Sequence, residues 1–233
     1  MANLAQRQQL ATPTLQFVRV DLGARSVEYD RAWDLQRETH EAVASGSGVP
    51  TVLMLEHSEV FTAGRRTEAT DRPTDGSRVI DVDRGGRITW HGPGQLVCYP
   101  IVPLPHPLDV VAHVRRMESA IIATCDDFGI ETETVEGRSG VWCAANDVAP
   151  ARKIAAIGVR VARGVTMHGL SLNVDCDVEW AHQIVPCGIT DAGVTTMAKE
   201  LAPPDAPGML AVADRLEQHL REVFEPTLMK HPA

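Results

Sequence analysis

The sequence predicts an α+β fold in which helices pack on a mostly antiparallel, mixed sheet. Helical and strand-like segments follow one another without the regular βαβ alternation of a parallel sheet. Two β-rich runs also flank a Gly-Gly pair, a pattern typical of an antiparallel hairpin. The 233 residues are 44% hydrophobic, which is enough for one sizeable core. We therefore predict a single domain over 15–225, with a flexible N-terminal tail at 1–14 and a C-terminal tail at 226–233.

Helical periodicity predicts two long helices in the first half of the chain. The first covers 28–44 and ends at a Ser-Gly-Ser-Gly run. The second follows Asp109, whose carboxylate can cap it, and ends near Phe128 before a glycine. The later part of the chain is broken by prolines and predicts shorter helices near 178–184, 194–201 and 208–224.

Short apolar runs predict the strands. The run at 51–56 has the length of a buried strand, and further strands are expected at 96–102, 139–143, 154–161 and 166–173. The runs at 79–82 and 87–90 lie on either side of Arg84-Gly85-Gly86. They are the two arms of the predicted hairpin.

Composition narrows the class of protein. The net charge is −9 and the pI is near 5.4, which argues against nucleic acid or an anionic membrane as partner. The N-terminus resembles no signal peptide, and no apolar run approaches the roughly 18 residues of a membrane span. The five cysteines are irregularly spaced with no C-x-x-C pair, so neither a disulfide framework nor a zinc site is expected. We expect a cytoplasmic monomer that uses no metal and no cofactor.

One cysteine differs from the other four. Cys98 and Cys125 fall in apolar segments typical of packing, Cys143 has no evident partner, and Cys176 stands between two carboxylates that would oppose a thiolate. Cys187 follows a proline and precedes a glycine, so a turn can present its thiol to a substrate. The local pattern by itself is more typical of a cysteine that fills space in an ordinary turn.

Lys153 is unusual because the chain has only three lysines among 22 basic residues. Strand alternation places it on one face with Ala155, Ile157, Val159 and Val161. A lysine on an apolar face is partly desolvated and suited to proton transfer. Periodicity alone, however, favours a side chain that extends into water from the start of the strand.

Three glycine-rich segments add polar side chains where a ligand can approach the backbone closely. They are Arg84–His91, Gly92–Gln95 and His168–Asn173. None has the spacing of a P-loop or of a dinucleotide-binding loop. Each alone is typical of a turn.

The ordered set of motifs resembles the lipoyl(octanoyl) transferase family, also called lipoate-protein ligase B. The matching runs are R-G-G-x-x-T-W-H-G-P-G-Q, Y-P-I, S-G-V-W, K-I-A-A-I-G-V-R, H-G-L-S-L-N and P-C-G-I, and they lie within about 17–202. Three features depart from the family pattern: Met167, Cys98, and a connection at 142–152 that is a few residues long. None of them removes a residue that matches the family's catalytic positions.

The resemblance implies the catalytic fold of biotin and lipoate protein ligases. It implies transfer of an octanoyl group from octanoyl-acyl carrier protein to a lysine of lipoyl domains, those of 2-oxoacid dehydrogenases and of the glycine cleavage H protein. It assigns the acyl-bearing thiol to Cys187 and the acid–base role to Lys153. The implied substrate pocket consists of Arg84, Gly85, Gly86, Arg87, Ile88, Thr89, Trp90, His91, Tyr99, Ala156, Ile157, Gly158, His168, Gly169, Leu170 and Ser171.

The sequence leaves two alternatives open. An ATP-dependent lipoate–protein ligase has the same fold but forms an acyl-adenylate and needs no cysteine nucleophile. A non-catalytic module that binds lipoyl domains or acyl carriers would need neither Cys187 nor Lys153.

Overall fold

An eight-stranded β-sheet, the larger of two in the described part of the chain, forms the centre of the molecule. The structure is a computed structural model that describes residues 15–184, 192–201 and 206–229. Numbered in chain order, the strands of this sheet are β1 (Gln16–Arg19), β2 (Thr51–Leu55), β6 (Gln95–Ile101), β7 (Glu133–Val135), β8 (Arg138–Cys143), β9 (Arg152–Ala162), β10 (Val165–Asn173) and β11 (Gly193–Val194). They lie in the order β1-β2-β6-β10-β9-β8-β7, and β11 pairs with β9. All pairs are antiparallel except β1 with β2 and β11 with β9, as expected for a mostly antiparallel sheet.

The smaller sheet corrects the predicted hairpin. Its strands are β3 (Val60–Ala63), β4 (Val79–Asp81) and β5 (Ile88–His91), in the order β4-β3-β5. The two arms of the predicted hairpin, β4 and β5, therefore both pair with β3 rather than with each other. The hairpin prediction was wrong because β3, a four-residue strand with no turn signal of its own, supplies the hydrogen-bonding partner that each arm needs.

Within the described ranges four α-helices accompany the sheets: α1 (Tyr29–Ala44), α2 (Val110–Asp127), α3 (Met197–Leu201) and α4 (Met209–Met229). The Asp109 carboxylate accepts a hydrogen bond of 2.8 Å from the Ala112 N–H, which confirms the predicted cap of α2. The segment 178–183 is a 3-10 helix, and Val194 lies in β11 rather than in the helix predicted there. At the C-terminus α4 continues to Met229, because Leu228 is still buried against the core, so 226–229 are helical rather than part of a tail.

The helices cover both faces of the main sheet. The largest apolar cluster lies where α2 and α4 pack on the sheet, and it includes Met117, Ile121, Leu216 and Leu220. A second cluster lies under α1, which packs on β6 and β10. None of the helices in the described ranges is long and apolar enough to span a membrane.

A β-bulge in β9 changes the predicted orientation of Lys153. Val141 of β8 pairs with Ala155, but the next residue, Trp142, pairs with Lys153, so β9 contains one extra residue at Ile154. Ala155 joins the main apolar cluster, whereas Lys153 lines a cavity together with Ala156 and Gly158. The prediction that Lys153 shares a face with Ala155, Ile157, Val159 and Val161 was therefore wrong, because alternation restarts across the bulge.

Gly169 marks the closest approach of two central strands. A Cβ atom at this position would lie 2.2 Å from the Cys98 carbonyl oxygen and 2.6 Å from Cδ of Pro100. We expect Gly169→Ala to lower the free energy of unfolding by about 1–3 kcal/mol, because backbone atoms of β6 would have to move. Urea unfolding measures the change. Gly208→Ala is the matched control, since no atom lies within 4 Å of its Cβ position, and an equal loss in both variants would contradict the prediction.

Candidate active site

A cavity of about 390 Å³ lies between the main sheet and the loops of the small sheet. Its floor comes from β9 and β10, one wall from the loops that follow β3 and precede β5, and the opposite wall from the turn between β7 and β8. The lining residues are Tyr29, Arg66, Glu68, Arg84, Gly86, Arg87, Thr89, His91, Tyr99, Gly137, Arg138, Ser139, Lys153, Ala156, Ile157, Gly158, His168, Gly169, Leu170 and Ser171.

The cavity brings together Lys153 and all but three of the residues that the resemblance assigns to the substrate pocket. The exceptions are Gly85, Ile88 and Trp90. Gly85 donates its N–H to the Val159 carbonyl at 2.9 Å, and Ile88 is buried in the apolar cluster of the small sheet. Trp90 instead lines a smaller neighbouring cavity.

Other parts of the chain, which the motifs do not predict to be near a ligand, also line the cavity. Tyr29 begins α1, and Arg66 and Glu68 follow β3. The turn at 137–139 closes the opposite wall. Of these, only Ser139 lies in a matched motif, S-G-V-W, where a polar residue at a strand start gave a usable signal.

Arg84 holds the glycine loop in shape. Its buried guanidinium donates hydrogen bonds to Thr62, at 2.7 Å to the carbonyl oxygen and 2.9 Å to Oγ1. It also donates to the carbonyl oxygens of Gly85 and Arg87 at 3.0 and 2.8 Å. Because these groups accept most of its N–H donors, Arg84 fixes the wall of the cavity by binding the backbone of its own loop.

His168 connects this loop to the main sheet. Its Nε2–H donates to Oδ1 of Asp83 at 2.8 Å, and Asp83 also pairs with Arg160. The hydrogen bond from His168 holds the pKa of Asp83 below its usual value, while burial lowers the pKa of His168 despite the nearby carboxylate. His168 has a φ of +57°, a strained conformation that is held in part by the hydrogen bond from its N–H to Gln36.

Buried imidazoles and phenols line the cavity or contact the residues that line it. His57 donates from Nδ1 to the Val27 carbonyl at 3.0 Å and accepts at Nε2 from the Tyr99 hydroxyl at 2.6 Å. His91 donates from Nδ1 to Oε1 of Gln95 at 2.7 Å. Burial lowers the pKa of His57 to about 4 and that of His91 to about 3, so both are uncharged at neutral pH.

Lys153 lies where the main cavity meets a smaller one of about 40 Å³. Its side chain is only 7% exposed, and its Nζ lies 4.7 Å from the centre of the Trp142 ring. Within 15–184, 192–201 and 206–229, no residue forms a hydrogen bond or ion pair with its ammonium group. The smaller cavity shares Thr89, Ala156 and Ser171 with the main one, and its other lining is mainly apolar, from Trp90, Cys176, Val178, Ile184 and Val194.

The four described cysteines are poor nucleophiles. All are buried, and burial raises the pKa of Cys143 to about 11 and those of Cys125 and Cys176 to about 12. Burial also raises the pKa of Cys98. Cys187 falls in 185–191, outside the described residues. In the described part of the chain, no three His, Cys, Asp or Glu side chains are placed to hold a metal ion.

Sequence comparison identifies the class of protein to which this fold and cavity belong. Residues 28–221 match the model of the lipoyl protein ligase A/B catalytic domain. The chain belongs to this family, which confirms the resemblance found in its motifs. Similar relatives are octanoyltransferases. The one from Salinispora tropica is 56% identical over 92% of this chain and 98% of its own length, and the one from Streptomyces coelicolor is 50% identical over 93% and 96%.

Solved structures confirm the α+β fold. A bipartite lipoate protein ligase from Thermoplasma acidophilum, described together with its E2 lipoyl domain, superposes with a TM-score of 0.66 at 13% identity. The superposition covers 93% of this chain and 89% of the ligase chain. A lipoate-protein ligase A bound with ATP gives a TM-score of 0.62 at 14% identity, with 92% of both chains covered. At these identities the likeness establishes the fold alone.

Proposed function

We propose that the protein transfers an octanoyl group from octanoyl-acyl carrier protein to a lysine of a lipoyl domain, through a thioester on Cys187. The buried, cavity-lining Lys153 carries this proposal, because it places an acid–base group without a carboxylate partner among the described residues at the junction of two cavities. The similar octanoyltransferases indicate that the acyl group is octanoyl. The raised pKa values of the four other thiols favour Cys187 as the nucleophile.

In the first half-reaction Lys153 takes the proton of the Cys187 thiol. The thiolate attacks the carbonyl carbon of the octanoyl thioester, and the bond between that carbon and the carrier sulfur breaks. The departing carrier thiolate receives the proton from Lys153. One thioester replaces another, so the protein mainly provides positioning and stabilisation of the oxyanion.

In the second half-reaction the amine of the acceptor lysine attacks the acyl-Cys187 carbonyl. The amine must be neutral to attack, and Lys153 accepts the proton that it loses as the amide forms. The proton then passes to the Cys187 thiolate as it leaves. The expected kinetics are ping-pong, and the chemistry consumes no ATP.

The cavities also suit the two parts of the donor. The apolar lining of the smaller cavity favours methylene groups, each worth about 0.8 kcal/mol when buried. The lining of the larger cavity includes Arg66, Arg138 and Arg87, the last with its charge offset by Asp71 and Glu68, in a chain whose net charge is −9. Local positive charge of this kind favours approach of an acidic carrier protein or lipoyl domain to an otherwise acidic surface.

Intact mass spectrometry tests the proposal directly. The wild-type protein is mixed with octanoyl-acyl carrier protein without ATP, and Cys187→Ser is treated in parallel. We expect one octanoyl adduct on the wild type, removed by hydroxylamine, and little or none on the variant. Cys176→Ser is the matched control and is expected to acquire the adduct like the wild type. Equal labelling of the wild type and Cys187→Ser would overturn the proposal.

The fold of the solved relatives favours one alternative, an ATP-dependent lipoate–protein ligase. The likeness to a ligase bound with ATP is what supports it. That reaction would show no adduct with octanoyl-acyl carrier protein and would modify a lipoyl domain only when free acid and ATP are both supplied. The same mass measurement, repeated with octanoic acid and ATP, separates the two functions.

A further inference from the structure

Trp142 and Lys153 face each other across neighbouring strands. They are register partners in β8 and β9, so the bulge at Ile154 brings their side chains to the same face of the sheet. The Lys153 Nζ lies over the indole ring, 4.7 Å from its centre. The ring is fully buried, at 1% exposure, so water does not screen this contact effectively.

The strand geometry keeps the ammonium against the ring. Gly140 lies in β8 with a φ of +108°, and a Cβ there would come within 3.3 Å of the Lys153 Cε and 2.3 Å of the Ala155 carbonyl oxygen. The Gly140 N–H donates to the buried Glu118 carboxylate at 3.0 Å, which ties this end of β8 to α2. A residue without a side chain therefore leaves the space through which Lys153 reaches Trp142.

The charges around Lys153 do not favour an ammonium group there. Among the residues that the structure describes, the cavity that it lines contains the guanidinium groups of Arg66, Arg84, Arg87 and Arg138 and a single carboxylate, Glu68. Glu68 already pairs with Arg87 at 2.9 Å. The carboxylate of Glu200 on α3 already pairs with Arg152, the residue that precedes Lys153 in β9.

The other described titratable groups that line the two cavities are uncharged at neutral pH. Burial lowers the pKa values of His91 and His168. It raises those of Tyr29, Tyr99 and Cys176. Among the described residues, the Trp142 ring is the group in contact with the ammonium that favours its charged form over the neutral amine, because the ring face attracts only the cation.

We infer that Trp142 is the positioning residue for the Lys153 ammonium. The ring fixes the place of Nζ at the junction of the two cavities and stabilises the protonated state. This inference rests on the proposed function, since it describes how the lysine is kept ready to hold and return a proton. Without the ring face, Lys153 loses its proton at a lower pH and its chain is free to move within the cavity.

Nuclear magnetic resonance of lysine labelled at Cε tests this inference without measuring catalysis. The chain has only three lysines, so Lys153→Arg and Lys199→Arg assign the signals. We expect the titration midpoint of the Lys153 signal to fall by about 0.4–1.5 pH units in Trp142→Leu. Trp142→Tyr and Trp142→Phe, which keep a ring, are expected to fall between Leu and the wild type. The exposed Lys199 serves as the internal reference.

Trp33→Leu is the matched control, because it also removes an indole that lies over a cation, Arg37 at 4.6 Å, but on α1. It should leave the Lys153 titration unchanged. The inference is overturned if the Lys153 midpoint stays at the wild-type value in a folded Trp142→Leu protein. If Trp142→Leu does not fold, the inference is overturned when the Lys153 midpoints of Trp142→Tyr and Trp142→Phe equal that of the wild type.

A parallel measurement of Cys187 acylation against pH separates this inference from the proposed function. If Lys153 acts as proposed, the limb of the profile that it governs moves with the titration midpoint in the Trp142 series. Absence of any adduct on wild-type Cys187 would reject the proposed function, while a shifted Lys153 titration would still support the contact with Trp142.

Discussion

Lys153→Gln is expected to slow acylation of Cys187 by about 10²- to 10⁴-fold, the range typical for loss of a general acid–base group. Glutamine has a similar length and can occupy the same space, but it neither accepts nor returns a proton under these conditions. Lys153 forms no ion pair within the described residues, so its loss leaves no buried carboxylate without a partner. Single-turnover acylation, followed by mass spectrometry with excess octanoyl-acyl carrier protein, measures the rate.

Lys153→Arg distinguishes proton transfer from simple charge. A guanidinium keeps the positive charge but does not release its proton in this pH range. If Lys153 moves a proton, the arginine variant should be nearly as slow as the glutamine variant. A rate for Lys153→Gln within tenfold of the wild type would contradict the assigned role.

The free energy of unfolding is expected to fall steeply as the pH drops from about 6.5 to about 4. Burial lowers the pKa of His57 and His113 to about 4 and that of His91 to about 3, whereas the unfolded chain titrates near 6.5. Within this window the unfolded state binds protons that the native state does not. Each histidine then contributes a loss of roughly 3 kcal/mol by pH 4, fully regained above 6.5. Three such losses approach the whole stability of an ordinary domain.

Substitution of His113 measures one part of this dependence. Its buried ring stacks on Phe224 between α2 and α4, with centres 5.2 Å apart, and lies outside the candidate active site. We expect His113→Leu to reduce the slope of unfolding free energy against pH by up to about 1.4 kcal/mol per unit. Urea unfolding at several pH values between 4.5 and 7.5 gives this slope.

Val114→Ala, on the same helix, is the control for this measurement. It removes apolar contacts with the main cluster without removing a titrating group. Its loss of stability should be the same at every pH. If His113→Leu behaves in the same parallel way, the histidine is not a source of the acid sensitivity.

Local signals explain which elements the sequence predicted well. The helix α2 has a capping aspartate, an apolar face and a terminal glycine, and all three act within the helix itself. The long strands β9 and β10 are apolar enough for their sequences alone to predict strands. By contrast, β3 has four residues, and its role as the shared partner of β4 and β5 depends on pairing at a distance.

The candidate site shows the same division. The glycine-rich segments and their histidines were found because ordered motifs carry them, and the cavity contains most of them. Tyr29 and Arg66 were missed because each comes from an element whose own sequence carries no sign of a ligand. The orientation of Lys153 was predicted wrongly because the bulge arises from its pairing with β8, which the residues of β9 do not specify alone.

The extra residue in β9, Ile154, determines which face of the strand Lys153 occupies. Removal of Ile154 would let β9 pair with β8 without interruption and would keep every polar group of the strand edge in its ladder. Regular pairing that kept Ile154 would instead place Ile154 opposite Trp142 and exchange the two faces of the strand's first residues, so that the Lys153 ammonium would point into the apolar core. Relatives with the same count of residues between Lys153 and Gly158 therefore need the same bulge, as well as the same residues, to place an amine at the same point.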